Sequence, residues 1–144
     1  GRRFRIYKLR SLKKTTFDKT KQVTKDDVRL LKIGKIVRRY SIDELPQFFN
    51  ILNGNMSIVG HRPHMVENDI HYSNLFFNFL KRHKCNPGLT GWAQVNGLRG
   101  ATPNPEIMKR RMEFDLWYLN NWTIWLDLYI IFKTFYALIK YKGD

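Results

Sequence analysis

Two adjacent carboxylates, Asp43 and Glu44, lie just downstream of the paired cations Arg38 and Arg39. Neighbouring carboxylates can hold a hard divalent cation while guanidinium groups hold phosphate oxygens, a minimal set for phosphoryl chemistry. A carboxylate can also attack phosphorus itself, which divides one displacement into two through an acyl phosphate. The same residues also fit a purely local role. Ser41-Ile42-Asp43-Glu44 matches a capping box, although Pro46 then falls deep enough in the helix to cost a hydrogen bond. A cap at Asp43 instead leaves Pro46 in the tolerated first turn. In both cases the carboxylates start a helix, where the dipole favours negative charge.

The elements that must position this pair are short. Phe4, Ile6 and Leu9 alternate imperfectly with basic residues, predicting a strand over 4–12, and the lysine-rich stretch 13–27 reads as an exposed loop. Val28, Leu31, Ile33, Ile36 and Val37 recur near helical spacing, weakened by Gly34. Leu45, Phe48, Phe49 and Leu52 share one face of a helix expected from about Asp43 to Asn53, with Gly54 as its stop. Met56–Val59 reads as a brief extended piece, and residues 64–84 as an amphipathic helix. PGLTGWAQVNG (residues 87–97) reads as a glycine-rich loop around a short strand at Trp92–Val95. Residues 107–142 are helical by pattern, with a break near Asn120 and Asn121. The pattern sums to a single α+β domain over residues 1–144, mainly helical with small β elements.

The 144 residues carry 26 Lys plus Arg against 12 Asp plus Glu, a formal charge of +14, of which +10 lies in residues 1–50. This favours a polyanionic partner: nucleic acid, nucleotide phosphate or an anionic membrane face. One cysteine, Cys85, excludes an internal disulfide and a cysteine zinc cluster. The final helix is apolar for about eighteen residues but interrupted by Asp127 and Lys133, so it is not read as a spanning segment. Trp117, Trp122, Trp125 and Tyr129, with Lys133, Lys140 and Lys142 at the far end, suit a helix lying in a membrane interface, or alternatively part of the core. His64, His71 and His83 lack metal-ligand spacing to carboxylates and read as ordinary polar positions.

SIDELPQFFNILNGNMSIVGHRP (residues 41–63), PGLTGWAQVNGLRG (87–100) and EFDLWYLNNWTIWLDLYIIFKT (113–134) together resemble, in the same order, the bacterial sugar transferases, the monotopic polyprenyl-phosphate glycosyl-1-phosphate transferases. The later blocks are most similar to the branch acting on glucose 1-phosphate. The resemblance implies a two-step transfer of a sugar 1-phosphate from a UDP-sugar to undecaprenyl phosphate, releasing UMP. It would be the first membrane step of exopolysaccharide or O-antigen synthesis, at the cytoplasmic face of the bacterial inner membrane. Asp43 would be the nucleophile, and Glu44 would bind magnesium with it or assist proton transfer. Arg62 would contact phosphate, with Lys8, Arg10, Gln94, Asn96 and Arg99 as further substrate-binding candidates and Gly88, Thr90 and Gly91 shaping the site. His61 stands where the family has a proline, and Asn55 where it has an aspartate.

The resemblance also implies an upstream membrane-entering segment that this sequence, beginning at Gly1, does not contain; the chain is expected to be a fragment. UDP-sugar, polyprenyl phosphate and an anionic membrane surface are the expected partners. A basic nucleic-acid-binding module is the competing reading, disfavoured because the surplus charge lies before residue 51 while the Trp residues cluster after 91. A non-catalytic membrane adaptor would leave the Asp-Glu pair without a task.

Overall fold

The computed structural model describes residues 2–13, 27–100, 102 and 104–140. The lysine-rich loop falls mostly on residues outside this set, as do Lys142 and the side chain of Lys140. The architecture is mainly helical α+β. In chain order it comprises α1 (Lys32–Arg39), a 3-10 turn (Ile42–Glu44), α2 (Gln47–Leu52), β1 (Ser57–Val59), α3 (Val66–Leu75), a second 3-10 segment (Phe79–Lys84), β2 (Gly88–Thr90), α4 (Trp92–Val95), α5 (Pro105–Asn120) and α6 (Ile124–Lys140).

β1 and β2 pair in parallel, with Ser57 opposite Gly88 and Val59 opposite Thr90. Parallel neighbours need a long crossover, supplied here by α3 and the second 3-10 segment. The crossing beyond the strands is tight: a Cβ on Gly91 would run into the Gly60 carbonyl, and one on Gly88 into the Gly60 amide nitrogen. These glycines are therefore required by close backbone approach.

Two apolar clusters flank this ribbon. Tyr72, Phe79, Met108 and Met112 join α3, the 3-10 segment and α5, with Phe76 and Leu116 packed against them. Val59, Tyr118 and Ile130 join β1, α5 and α6, with Trp92, Val95, Leu126 and Ile131 alongside. Asn104 caps α5 by accepting from the Ile107 amide at 3.0 Å, and Pro105 occupies its first turn.

Several sequence expectations are corrected. Phe4–Leu12 is not a strand; among the described residues its only ladder contact is an isolated bridge between Leu12 and Leu30. The segment is held by side chains and single backbone bonds instead. Buried Asn50 accepts from the Tyr7 amide and donates to the Arg5 carbonyl, at 3.0 and 2.7 Å. Gly34, which weakened the helix reading, is the point where α1 meets this segment: a Cβ there would collide with the Ser11 carbonyl. The strand in the glycine-rich block is Gly88–Thr90, and Trp92–Val95 is the short helix α4. The helix expected over 43–53 divides into a 3-10 turn and α2, because Pro46 cannot supply an interior amide. The helix expected over 64–84 likewise divides at Phe76–Asn78.

The final helical pair breaks where the sequence placed it. The two charges inside the apolar run of α6, Asp127 and Lys133, both face partners. Asp127 accepts from the Tyr118 hydroxyl at 2.6 Å and the Trp122 indole at 3.1 Å. Lys133 donates to Asn96 Oδ1 at 3.1 Å and lies over the rings of Trp92 and Tyr129. Trp122, Trp125, Phe132 and Phe135 are exposed while Ile130 is fully buried. The helix is thus both core and open aromatic face. No helix among the described residues is long and apolar enough to cross a membrane.

Candidate active site

Asp43 and Glu44 occupy the 3-10 turn after α1, and neither caps a helix through its side chain. Ser41 adopts a left-handed backbone, φ 55°, the sole positive φ on a non-glycine among the described residues. Such a conformation costs about 1–3 kcal/mol and persists only where surroundings fix it. Here the Arg99 guanidinium donates to Ser41 Oγ, and the Leu9 amide donates to the Asp43 carbonyl at 3.0 Å. The turn that presents the dyad is therefore held from both sides.

Both carboxylates are buried. Glu44 Oε1 takes an ion pair from Lys8 Nζ at 3.1 Å and another from Arg62 Nη2 at 2.7 Å. Burial opposes the charged form of Glu44, but the Arg62 guanidinium and then the Lys8 ammonium outweigh it and hold the carboxyl at about 2. Asp43 behaves oppositely. Burial and then the adjacent Glu44 charge push it above the ordinary aspartate range, against the pull of Lys8 and Arg38. Among the described residues no side chain of another residue donates a hydrogen bond to it. One carboxylate is thus locked as an anion, and its neighbour is left more basic and uncommitted.

The structure brings Lys8, Arg62 and Arg99 to the dyad. Burial depresses the Arg99 guanidinium while the Glu44 charge raises it, which places Arg99 in the field of the pair. Arg10 is exposed and makes no hydrogen bond or ion pair with either carboxylate. Gln94 is buried on α4, and its Oε1 has no hydrogen-bond partner among the described residues. Asn96 is spent internally: it donates to the Trp92 carbonyl at 2.8 Å and accepts from Lys133. Thr90 bonds Thr134 of α6 through the hydroxyls at 2.7 Å, tying β2 to the last helix. His64 and His83 both approach Asp69, at 3.4 and 3.5 Å, yet no group of three or more His, Cys, Asp or Glu among the described residues could hold a metal ion.

Sequence reading missed a buried charged layer behind Arg62. Arg82 is fully buried, pairs with Asp115 at 3.2 Å and donates to the Arg62 carbonyl at 2.6 Å. Arg111, also buried, donates to the Gly100 carbonyl at 3.1 Å. Burial, and next the nearby Arg62 charge, lower Arg111 to about 10. A signal existed: Met108, Arg111, Met112 and Asp115 recur at i, i+3, i+4 and i+7, so two charges sit on the apolar face of α5.

The sequence model of the family described as Bacterial sugar transferase matches residues 1–141. This chain belongs to that family. It is 46% identical over 144 residues to a UDP-glucose:undecaprenyl-phosphate glucose-1-phosphate transferase of Xanthomonas campestris pv. campestris, covering 99% of this chain and 30% of the relative. It is 48% identical over 135 residues to the enzyme of that description from Escherichia coli strain K12, covering 93% of this chain and 29% of the relative. A UDP-N-acetylgalactosamine-undecaprenyl-phosphate N-acetylgalactosaminephosphotransferase of Aeromonas hydrophila is 37% identical over 144 residues, with 99% and 34% covered. The chain thus spans about a third or less of the length of these relatives.

Proposed function

We propose that this chain carries the catalytic centre for transfer of a sugar 1-phosphate, glucose or galactose 1-phosphate, from a UDP-sugar to undecaprenyl phosphate. The observation that carries the reading is the division of labour in the dyad: Glu44 fixed as an anion between Lys8 and Arg62, beside a more basic and uncommitted Asp43. An Asp43 oxygen attacks the sugar-bearing phosphorus, the bond to the bridging oxygen breaks, and UMP leaves with that electron pair. A phosphate oxygen of the polyprenyl phosphate then attacks the same phosphorus and displaces the Asp43 carboxylate, yielding a polyprenyl diphosphate sugar. The names of the relatives support the substrates.

Lys8 and Arg62, which pair with Glu44, and Arg99, which donates to the Ser41 hydroxyl, hold the diphosphate oxygens through charge-assisted bonds. A carboxyl held at about 2 is a weak base, which favours a charge-organising role for Glu44 over proton transfer. Asp43, whose carboxylate no neighbouring side chain among the described residues bonds, would hold magnesium with Glu44 beside it, since that ion takes one or two carboxylates and completes its shell with phosphate oxygens and water. When bound there, magnesium would offset charge on the diphosphate.

The surroundings support attachment to the cytoplasmic face of the bacterial inner membrane. Ile33 and Ile36 of α1, Phe49 and Leu52 of α2, and Trp125 and Phe132 of α6 are more than half exposed, and the first third of the sequence is strongly basic. The reading is tested by incubating the full-length membrane-bound protein with UDP-glucose or UDP-galactose, undecaprenyl phosphate and magnesium. UMP release matched by lipid-linked sugar is expected. Neither product from either sugar nucleotide overturns it.

A further inference from the structure

The Arg82–Asp115 pair lies outside the dyad and touches none of the groups assigned to substrate, yet it is attached to one of them through the main chain. Arg82 is 0% exposed and Asp115 3%. Burying an ion pair is costly, and apolar residues of similar volume usually pack at least as stably. The cation–π contact of Arg82 with Phe79, 5.1 Å from guanidinium to ring centroid, does not need a charge-paired partner. A pair that stability alone does not justify is better explained by what it holds.

What it holds is the Arg62 carbonyl, at 2.6 Å from Arg82 Nη2. Arg62 lies in the connection leaving β1, between His61 and Pro63, with no ladder bond of its own. The neighbouring anchor is the Gly88 amide, which donates to the His61 carbonyl at 2.8 Å. Asp115 Oδ2, on α5, forms an ion pair with Arg82 Nη2 at 3.2 Å, and His64 Nδ1 lies 3.4 Å from Arg82 Nη1. The Arg62 side chain then reaches Glu44 at 2.7 Å. An unbroken chain of contacts runs from α5 through the 3-10 segment to the dyad.

We infer that Arg82, oriented by Asp115, is a positioning residue: it fixes the backbone at Arg62 so that the Arg62 guanidinium meets Glu44 and the substrate diphosphate in register. The inference rests on the function proposed above for Arg62. A guanidinium is suited to this task because it is rigid and planar: Arg82 Nη2 bonds the Arg62 carbonyl while it lies within ion-pair distance of Asp115 Oδ2, whereas a lysine ammonium is a point charge on a flexible stem. Misplacing a phosphate-holding group by about 1 Å costs on the order of 100-fold in rate.

The test is a kinetic cycle in the full-length membrane-bound protein, with Arg82→Lys, Arg62→Ala and the double variant. Arg82→Lys keeps a charge opposite Asp115 and is expected to fold. Its kcat/KM is expected to fall about 30- to 100-fold. In the Arg62→Ala background the same change is expected to cost less than about 2-fold, since residues acting through one another are not additive. Full additivity, or an Arg82→Lys protein with unchanged kcat/KM, overturns the inference.

Hydrogen–deuterium exchange supplies a readout independent of turnover. Faster exchange of Arg82→Lys confined to the segment 60–66, with α5 unchanged, is expected. Unchanged exchange in that segment, or acceleration spread evenly through α5, overturns positioning in favour of a general structural role. Wild-type protein that releases no UMP would defeat the function reading alone, and the exchange result would still decide the role of Arg82.

Discussion

Two clusters of the same chemistry sit on either side of Arg62 and behave differently. In one, Glu44 is held by Lys8 and Arg62, whose side chains remain 42% and 25% exposed. In the other, Asp115 is held by Arg82 with both side chains sealed. Solvent access makes the first exchangeable on its cationic side: the part-exposed Lys8 and Arg62 can also reach a phosphate beside Glu44. The second cannot trade partners, because each member would be left buried and unpaired. The first cluster therefore suits chemistry, and the second suits holding the first in place.

The contrast predicts where substitutions register. Glu44→Gln removes the anion that organises Lys8 and Arg62 and is expected to lower kcat by on the order of 10³ with little change in thermal stability, read by UMP release and a melting curve. A comparable loss of stability would erase the distinction between the clusters. Asp115→Leu by itself strands Arg82 and is expected to destabilise the fold by about 3–5 kcal/mol in denaturant unfolding. A cost below about 1 kcal/mol would show that Arg82 finds other partners.

Arg62→Lys retains charge but loses the fork, and a fall in kcat/KM of about 10- to 100-fold is expected; equality with wild type would reduce Arg62 to a point charge. Lys8→Met is the mildest change. Its pair is well exposed on the lysine side, so an effect within about 1 kcal/mol is expected on stability, with turnover reduced several-fold.

The dyad was a candidate in the sequence through its nearness to arginines and through the family resemblance, since a helix start accounted for two adjacent carboxylates equally well; the fold adds that both are buried together. Its local geometry was not legible. Neither capping arrangement forms, because the Arg99 and Leu9 contacts, from residues distant in sequence, set the Ser41–Glu44 turn. Periodicity located α1, α5 and α6 well, since their faces repeat over two turns or more. It failed for Phe4–Leu12, which docks on Asn50, Asp43 and Leu31 through single bonds rather than ladder pairing. At Trp92–Val95 a four-residue run carried too little pattern to separate strand from helix. The heptad-like spacing on α5 marked Asp115 as inward-facing, but its pairing with Arg82 was not readable, because the fold joins residues 33 positions apart.

The same limit explains the aromatic helix. Asp127 and Lys133 looked like interruptions of an apolar run. Both turn inward to specific partners, leaving the opposite face aromatic and open. Charge in a sequence marks polarity but not direction.

The central claim, that Asp43 forms a covalent phosphosugar, is tested most directly by intact-protein mass spectrometry of the full-length enzyme given UDP-sugar without the lipid acceptor. The account predicts a phosphosugar adduct on Asp43 that disappears when undecaprenyl phosphate is added, and none in Asp43→Asn. Full turnover by Asp43→Asn, or an active wild type that never carries the adduct, would contradict it.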